Sequence, residues 1–454
     1  MDTCAIILAA GAGTRMKSKK PKVAHEILGM PLVNWVERAV RQAGVSKTVV
    51  VVGHERQQVT VLLHPESEIA IQEHRLGTGD AVVSAKDALK NFTGSVVILS
   101  ADSPMITPET ITMLLDQRSK TGNACVVLTM NMDTPFGYGR IVRDDNGNFA
   151  RIVEEKDCTP TQAAITECNS GIYCFDASVL FESLSKLSNN NAQGEYYLTD
   201  TLEIALAHHG EGSVVSLVAS DANECAGVNS REQLAQATKC LQTRINKAHM
   251  QAGVTFTNPC MAWIGPDVKI ASDVEILPMC TILGDTQIGE DSVIGPSSTL
   301  KNAVVGKNCT INETIATDVI IHNNVTCGPR AYLRPGTVLK NKSKVGTCVE
   351  VKKSIVGEGS KIPHLSYIGD AEIGNDVNVG AGSITCNYDG KNKHATTIED
   401  GAFIGSDTML VAPVKVGKGA VTGSGSAITE DVSDGALAIG RARQVEISNY
   451  SVKS

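Results

Sequence analysis

Aromatic residues are scarce in this chain: Phe, Trp and Tyr make up 4% of its 454 residues, although 42% of the residues are hydrophobic. We therefore expect an interior built from Ile, Val, Leu and Ala, with the 41 glycines at tight corners. No run of about 20 apolar residues exists, which argues against a membrane-spanning helix. The N-terminus enters a strand-like segment without a signal-peptide pattern, so we expect a cytoplasmic protein with no membrane insertion.

The chain also has no excess of positive charge and no paired cysteines. Its net charge of −8 and isoelectric point near 5.7 leave no basic domain to neutralise phosphates, so nucleic acid is not an expected partner. None of the 13 cysteines forms a Cys-x-x-Cys pair, which argues against a zinc knuckle and against a disulfide framework. These properties favour an enzyme that acts on small molecules.

A six-residue period is the most informative pattern that is present. Aliphatic residues fall at every sixth position at Ile264, Ile270, Ile276, Ile282, Ile288, Ile294 and Leu300. After a shift in phase the period returns at Ile321, Cys327, Leu333, Leu339, Val345 and Val351, and again at Ile404, Leu410 and Val416. Because this period fits neither a helix nor an alternating strand, it predicts a parallel β-helix of hexapeptide repeats.

The N-terminal half has a different pattern, in which β-branched runs alternate with helical segments. This order predicts an α/β domain with a mostly parallel, doubly wound sheet over residues 1–229. Residues 230–252 contain neither glycine nor proline, and Ser230 with Gln233 resembles a capping box, so we predict a linker helix there. The β-helix domain is then expected over residues 253–454, interrupted by an insertion that begins near Thr385.

A small-residue loop follows the first predicted strand. Its sequence runs from Leu8 through Ala9, Ala10, Gly11, Ala12 and Gly13 to Arg15 and Met16, with Lys22 after Pro21. Backbone amides could approach an anion here, a helix start would add a positive dipole end, and the two cations suit a triphosphate. The loop matches neither the dinucleotide fingerprint nor the P-loop. The alternative is a tight strand-to-helix turn with solvated cations.

Asp102 follows another predicted strand, at the edge where doubly wound sheets bind ligands. An oxygen ligand there suits Mg²⁺, which typically takes one or two protein ligands and completes its shell with phosphate and water. A lone aspartate at a strand end is more often a turn former or a helix cap.

Polar residues interrupt the hexapeptide pattern within two predicted coils. They are Arg334, Lys352, Lys353, His364, Ser366 and Tyr367. Each is ordinary alone, and the solenoid could be a passive trimerisation scaffold. Together they would supply a base, cations for an anionic group and hydrogen-bond donors, which are the groups that transfer of an acyl group to an amine requires.

Several motifs resemble those of sugar-1-phosphate nucleotidyltransferases: Leu8 to Met16 with Lys22, Gln72, Leu76 to Gly79, Asp102, Gly137 to Arg140, Glu154 to Lys156, Asn169 to Gly171, and Gly227 to Asn229. With the C-terminal motifs, the whole chain resembles the family of bifunctional N-acetylglucosamine-1-phosphate uridyltransferases and glucosamine-1-phosphate N-acetyltransferases. This resemblance implies UTP and acetyl-CoA as co-substrates and Mg²⁺ as cofactor. It also implies a left-handed β-helix and a homotrimer.

The same resemblance implies roles for individual residues. The uridyltransferase site would contain catalytic Arg15 and Lys22 and, for nucleotide and sugar, Leu8, Ala9, Ala10, Gly11, Lys22, Gln72, Gly77, Thr78, Ser100, Ala101, Asp102, Gly139, Glu154, Asn169 and Asn229, with Asp102 and Asn229 on the metal. In the acetyltransferase site His364 would be the base, Arg334, Lys352, Tyr367 and Asn378 would bind the sugar phosphate, and Ala381, Asn387, Tyr388, Ser406, Ser424 and Arg441 would bind acetyl-CoA. Ser100-Ala101 replaces a frequent Tyr-Gly of the family, and Ser424 replaces its usual alanine.

Two other functions fit parts of the sequence. One is a single nucleotidyltransferase for another sugar, whose solenoid only regulates or oligomerises. The set of His364, Tyr367, Arg334 and Lys352 argues against it, because a passive solenoid needs no base beside a phosphate clamp. The other is a non-enzymatic trimeric scaffold with a nucleotide-binding head, which does not require a metal site.

Overall fold

A computed structural model of the protein describes residues 2–53, 55–191, 194–448 and 450. The chain forms two compact units, Met1–Leu241 and Gln242–Ser454. The division falls inside the helix Arg231–Gln251, so the predicted linker helix contributes one half to each unit. The functional boundaries at residues 229 and 253 remain predictions. No helix in the described ranges is long and apolar enough to cross a membrane.

The N-terminal unit is an α/β fold. Its strands are β1 (Thr3–Leu8), β2 (Glu26–Ile27), β3 (Met30–Pro31), β4 (Lys47–Val52), β5 (Glu68–Ile71), β6 (Ser95–Ser100), β7 (Cys125–Asn131), β8 (Arg140–Arg143), β9 (Phe149–Val153), β10 (Glu167–Asp176) and β11 (Val214–Val218). The helices are α1 (Leu32–Gln42), α2 (Arg56–Thr60), α3 (Thr78–Val83), α4 (Pro108–Thr121), α5 (Pro160–Ala163), α6 (Ala177–Leu184), α7 (Asp200–His209) and α8 (Arg231–Gln251).

Nine of these strands form one sheet in the order β11-β7-β10-β6-β1-β4-β5, with the β8–β9 hairpin attached to β10. Neighbours pair in parallel except around β10, which is antiparallel to β6 and β7. The chain leaves β7 at Asn131, makes the hairpin, and enters β10 opposite the same residue, because Glu167 pairs with Asn131. A strand that starts at the carboxyl end of its neighbour runs in the opposite direction.

Both faces of the sheet are buried, as the doubly wound prediction requires. Ile6 and Ile98 belong to one hydrophobic core, whereas Ile7 and Leu99 belong to the core on the other face. The chain passes from β1 to β4 on one side and later to β6 on the other side of β1. The carboxyl ends of β1 and β6 therefore form the topological switch point, where Leu8 pairs with Ser100.

The C-terminal unit is a left-handed parallel β-helix made of very short strands. They are β12 (Thr255–Phe256), β13 (Ala262–Ile264), β14 (Lys269–Ile270), β15 (Glu275–Ile276), β16 (Cys280–Leu283), β17 (Gln287–Ile288), β18 (Val293–Ile294), β19 (Thr299–Val305), β20 (Thr310–Ile311), β21 (Ile315–Ile321), β22 (Thr326–Cys327), β23 (Tyr332–Leu333), β24 (Val338–Leu339), β25 (Lys344–Thr347), β26 (Glu350–Lys352), β27 (Ile355–Val356), β28 (Lys361–His364), β29 (Tyr367–Gly369), β30 (Ala371–Ile373), β31 (Asn378–Val379), β32 (Ile384–Cys386), β33 (Thr396–Ile398), β34 (Phe403–Ile404), β35 (Met409–Val411), β36 (Val414–Val416), β37 (Val421–Thr422), β38 (Ala427–Ile428) and β39 (Leu437–Ala438). They form one sheet of 11 strands and one of 17 strands.

The hexapeptide residues stack in register along the core. Ile264 pairs with Ile282, three hexapeptides later, whereas the coil in which Leu300 pairs with Ala316 falls short of three hexapeptides. The shorter coils explain why the sequence pattern changes phase. The coil in which Ile373 pairs with Ile398 is instead longer than three hexapeptides, because it contains the predicted insertion.

Many corners of the β-helix have left-handed backbone conformation at residues other than glycine. Examples are Asp291, Asn302, Asp318, Lys353, Leu365, Asp370 and Asp376. Asp and Asn are the L-residues that adopt this region most readily. The prediction that glycine occupies the tight corners is therefore correct for only some of them.

Helix α8 begins at the predicted cap, with a variation. The N–H of Gln233 donates to Ser230 Oγ at 3.2 Å, whereas Gln233 Oε1 accepts from the N–H of Asn229 at 2.7 Å. Within the C-terminal unit, Gln242 Nε2 and Asn246 Nδ2 both donate to the carbonyl of Ala262 at 2.9 Å. Two buried amides one turn apart thus fix this half of the helix to the first coil.

All 13 cysteines are free, as predicted. Burial raises the pKa of Cys4, Cys174 and Cys225 to about 12, so these thiols stay protonated. They act as small core residues.

Candidate functional sites

The small-residue loop lies at the carboxyl end of β1. Ala9 and Ala10 are buried, and the N–H of Ala9 donates to the carbonyl of Val51 at 2.8 Å. Gly13 is left-handed (φ 60°), and a Cβ there would lie 2.5 Å from Cβ of Lys22. Only glycine lets the loop pack directly against the stem of Lys22.

The loop is not followed by an α-helix, so the prediction that a helix dipole helps to bind phosphate here is wrong. Thr14–Met16 form a single 3₁₀ turn, and the next α-helix is α1, which begins at Leu32. Lys17 is left-handed, and Pro21 follows shortly after, which together prevent a longer helix. Arg15 is exposed beside the loop. Any anion here would depend on loop amides and side-chain cations.

Lys22, Asp102 and Asn229 meet at the switch point. The ammonium of Lys22 forms an ion pair with Asp102 Oδ2 and donates to Asn229 Oδ1 at 2.9 Å. The side chains of Lys22 and Asp102 are only 12% and 11% exposed. The N–H of Val228 donates to the carbonyl of Asp102 at 2.8 Å, which fixes the two segments together. Two side-chain oxygens thus converge on one cationic atom.

The two residues before Asp102 lie at the carboxyl end of β6, next to the end of β1. Ser100 ends β6, and Ala101 is fully buried, with its N–H donating to the carbonyl of Leu8 at 3.0 Å. Tyr138, which belongs to the motif Gly137 to Arg140 but was given no role of its own, also lies near this point. Burial and the nearby charge of Asp102 raise its pKa, so its phenol remains a hydrogen-bond donor.

Gln72, Gly77 and Thr78 lie together at the start of α3. Gln72 Nε2 donates to the carbonyl of Gly77 at 3.1 Å and to Asp80 Oδ2 at 2.8 Å. Thr78 Oγ1 accepts from the N–H of Leu198 at 3.0 Å. Gly77 has φ 114°, and a Cβ there would lie 2.5 Å from the carbonyl oxygen of Tyr196, so glycine is required.

Gly139, Glu154 and Asn169 also lie near one another. The N–H of Asn169 donates to the carbonyl of Gly139 at 2.9 Å, and a Cβ on Gly139 would lie 3.5 Å from Glu154 Oε1. Asn169 lies at a bulge of β10, and its Nδ2 contacts the hydroxyl of Tyr173 at 2.8 Å. Desolvation, together with the charges of Asp157 and Asp200, raises the pKa of Glu154.

In the β-helix, Arg334 and Tyr367 lie on either side of Glu350. Tyr332, Glu350 and Tyr367 pair in successive coils. Arg334 Nη1 donates to Glu350 Oε1 at 2.8 Å, and its guanidinium lies 6.0 Å from the ring centroid of Tyr332. The predicted cation and phenol therefore belong to one face.

Lys352 joins this face through Asp370. Lys352 Nζ lies 3.3 Å from Asp370 Oδ2, which also accepts from Asn387 Nδ2 at 2.5 Å. Asn387 Nδ2 in turn lies 3.5 Å from the hydroxyl of Tyr367. The sequence analysis missed Glu350 and Asp370, although Asp370 directly follows Gly369, which pairs with Lys352 in the next coil.

His364 lies across a corner from Tyr367. It ends β28 in the 11-stranded sheet, whereas Tyr367 begins β29 in the 17-stranded sheet. Leu365 turns the corner with φ 47°. The side chain of His364 is exposed, so it is accessible to a substrate.

The predicted acetyl-CoA residues extend the corner that begins at His364. Lys361, Asn378, Phe403 and Val421 pair in successive coils, and three residues beyond each of them lie His364, Ala381, Ser406 and Ser424. The N–H of Asp407 donates to the carbonyl of Ala381, and that of Gly425 to the carbonyl of Ser406, both at 2.7 Å. Arg441 Nη1 donates to the carbonyl of Ser424.

Asn378 lies in the sheet of His364, whereas Lys352 and Tyr367, with which it was grouped, lie in the other sheet, as does the strand that precedes Arg334. Tyr388 lies exposed in the insertion, with Lys393 Nζ 4.2 Å from its ring centroid. Backbone N–H donors and His394 hold the pKa of nearby Asp389 well below its usual value.

Comparisons with known proteins agree with this two-part architecture. A family model for a MobA-like NTP transferase domain matches residues 5–191. Models for the bacterial transferase hexapeptide (six repeats) and the hexapeptide repeat of succinyl-transferase match residues 267–302 and 395–430.

Full-length relatives are similar over nearly the whole chain. The bifunctional protein GlmU of Geobacillus sp. (strain WCH70) is 50% identical over 98% of this chain and 97% of its own. That of Carboxydothermus hydrogenoformans is 48% identical over 98% and 99%, and that of Pelobacter propionicus is 45% identical over 100% and 98%. The chain belongs to the GlmU family. Its membership confirms the predicted bifunctional enzyme, which pairs uridyltransferase with acetyltransferase activity, and confirms the predicted fold class.

Proposed function

We propose that this GlmU family member makes UDP-N-acetylglucosamine in two ordered steps. The β-helix acetylates glucosamine-1-phosphate with acetyl-CoA, and the N-terminal unit then transfers a uridylyl group from UTP to N-acetylglucosamine-1-phosphate with release of pyrophosphate. The observation that carries the proposal is the convergence of Asp102 and Asn229 oxygens on the cation of Lys22 at the switch point.

The N-terminal unit acts by alignment and charge. The sugar-phosphate oxygen attacks the α-phosphorus of UTP in line, so the protein needs no nucleophile of its own. Lys22 and Arg15 neutralise phosphate charge. The segment Leu8 to Gly11, with Gln72, Gly77 and Thr78, binds the nucleotide. The amino sugar contacts Gly139, Glu154 and Asn169, beside the strand end formed by Ser100 and Ala101.

Asp102 and Asn229 fit a Mg²⁺ site because their oxygens already converge on one cation. No cluster of three or more His, Cys, Asp or Glu side chains within the described ranges could hold a metal, so two protein oxygens completed by phosphate are the better match. When bound, Mg²⁺ would neutralise phosphate oxygens of the triphosphate. Lys22 must then leave these oxygens, which frees its ammonium for a phosphate.

Replacing Lys22 with methionine is expected to increase the affinity for a divalent cation without nucleotide, roughly three- to tenfold, because the two oxygens lose their internal cation. Mn²⁺ binding followed by electron paramagnetic resonance measures this change. Lys20→Met serves as the control, since Lys20 pairs with Glu26 on the surface. Unchanged or weaker Mn²⁺ binding in Lys22→Met would contradict the proposal that the metal takes the place of the Lys22 ammonium between the Asp102 and Asn229 oxygens.

In the acetyltransferase site, His364 removes a proton from the glucosamine amine, which then attacks the thioester carbonyl of acetyl-CoA; the C–S bond breaks, and coenzyme A leaves as a thiolate that takes up a proton. Arg334 and Lys352 bind the sugar phosphate, with Tyr367 and Asn378. The coenzyme follows the corner of Ala381, Ser406 and Ser424, with Arg441, Asn387 and Tyr388 as further contacts.

We further propose a homotrimer in which neighbouring β-helices complete each acetyltransferase site. An outward-facing apolar column supports it: Val304, Ile320, Val338 and Ile355 pair in four successive coils. Ile320 is 45% exposed in the single chain. Such a continuous apolar column is typical of an interface.

Replacing Ile320 with glutamate is expected to dissociate the trimer and to lower acetyl transfer at least tenfold, because a charge in an apolar interface is costly to desolvate. Light scattering coupled to gel filtration measures the mass, and a thiol assay measures acetyl transfer. Thr310→Glu, an exposed strand position on the 11-stranded sheet, is the control. A trimeric, fully active Ile320→Glu protein would contradict this interface.

A coupled assay tests the whole proposal. Purified protein is mixed with glucosamine-1-phosphate, acetyl-CoA, UTP and Mg²⁺, and one component is left out at a time. Pyrophosphate that forms only with acetyl-CoA present is the expected result. If N-acetylglucosamine-1-phosphate gives pyrophosphate but no thiol is ever released, the β-helix is structural and the acetyltransferase half is wrong.

A further inference from the structure

Asp370 occupies a corner of the β-helix, and its carboxylate makes side-chain contacts that are not required to form the corner. Its backbone is left-handed (φ 50°), and its N–H donates to the carbonyl of Lys352 at 3.0 Å. Its side chain is only 12% exposed, and one oxygen, Oδ2, faces both Lys352 Nζ at 3.3 Å and Asn387 Nδ2 at 2.5 Å. The left-handed corner residue Asp318 is instead exposed, and among the described residues its carboxylate accepts only from Asn302 Nδ2, at 2.9 Å.

These two donors come from different parts of the acetyltransferase site. Lys352 is assigned to the sugar phosphate of the acceptor, and Asn387, in the insertion, is assigned to acetyl-CoA. Without a fixed partner, the side chains of Lys352 and Asn387 would lose rotamer entropy on binding. A carboxylate that fixes both before substrates arrive removes part of that cost from each binding step.

We propose that Asp370 is a positioning residue that joins the acceptor and coenzyme subsites through its single oxygen Oδ2. The inference rests on the proposed acetyltransferase function and adds a residue to it. We do not assign Asp370 as the base, because its Oδ2 already accepts from two donors, one of them a cation. It acts through Lys352 and Asn387, and through Asn387 it also limits the position of the Tyr367 hydroxyl, 3.5 Å away.

The test measures binding of each ligand separately in the full-length protein, without turnover. Titration calorimetry gives the affinities for glucosamine-1-phosphate alone and for coenzyme A alone. Asp370→Ala removes the acceptor for both donors, so both affinities should fall about tenfold or more, the usual effect of losing a hydrogen bond to a charged group. Lys352→Ala should weaken the sugar phosphate only.

Asp370→Asn separates charge from geometry and remains informative if the alanine variant does not fold. Its amide oxygen can still accept from Lys352 and Asn387, and the loss of a negative charge beside a phosphate site does not oppose anion binding, so both affinities should stay within about threefold of wild type. In steady state, KM for both substrates should rise in Asp370→Ala more than kcat falls. Asp318→Ala controls for the loss of a corner aspartate.

The outcomes separate the inference from the function on which it rests. If wild type binds both ligands but Asp370→Ala weakens only one or neither, the joining role is overturned. Equal losses in Asp370→Ala and Asp318→Ala would show a general effect on the coil and would also overturn it. If wild type binds neither ligand, the acetyltransferase assignment itself fails, and the inference fails with it.

Discussion

Asp102→Ala is expected to lower uridylyl transfer by at least roughly 10³-fold, about 4 kcal/mol of transition-state stabilisation, while acetyl transfer stays at the wild-type rate. The carboxylate is both a proposed Mg²⁺ ligand and the ion-pair partner of Lys22. Its loss therefore removes the metal and leaves the ammonium with Asn229 alone. Release of pyrophosphate and release of thiol are measured on the same preparation.

Asp102→Asn provides the matched control, because it keeps the shape and one oxygen but removes the charge. We expect a loss between wild type and Asp102→Ala, with part of the activity recovered at high Mg²⁺ concentration. The double variant Lys22→Met with Asp102→Ala should be worse than Asp102→Ala alone, since the ammonium of Lys22 and the metal neutralise phosphate charge separately. Undiminished uridylyl transfer in Asp102→Ala would refute its role as ligand.

The second large effect is expected for His364→Ala, which should lower acetyl transfer by roughly 10²- to 10⁴-fold, the usual contribution of a general base, and spare uridylyl transfer. The side chain is exposed at a corner, so its removal should leave the coil intact.

His322→Ala is the matched control for this experiment, because His322 is also an exposed histidine of the β-helix and has no predicted substrate contact. It should change neither activity. Equal loss of both activities in His364→Ala would point to misfolding or to coupling between the units, and would contradict the assignment of His364 as the base.

The core of the β-helix could be predicted from the sequence because aliphatic side chains recur at every sixth position over several long stretches. Ile282 and Leu333, for example, are fully buried as the period predicts. Coils shorter than three hexapeptides could not be predicted, since the missing positions lie at corners that carry no hydrophobic signal. The antiparallel direction of β10 was missed for a similar reason: strand propensity contains no information on direction.

Some features of the candidate sites could likewise be predicted from the sequence, and others could not. Lys22, Asp102 and Asn229, far apart in sequence, meet as the motifs suggested. The prediction of a helix after the small-residue loop was wrong, because small residues after a strand do not reveal whether an α-helix or a 3₁₀ turn follows. Glu350 and Asp370 look like solvated surface charges until the coils are stacked. Opposite charges one coil apart, such as Lys352 and Asp370, are the signal that could have revealed them.

The stacking of coils of unequal length has a consequence for how this domain can change. Short, regular and extended coils share one core, because only the inward residues of each coil must remain in register. Insertions and deletions are absorbed at the corners at little cost to the core. Evolution can therefore reshape the substrate-binding corners one coil at a time, while the column of aliphatic residues preserves stability independently.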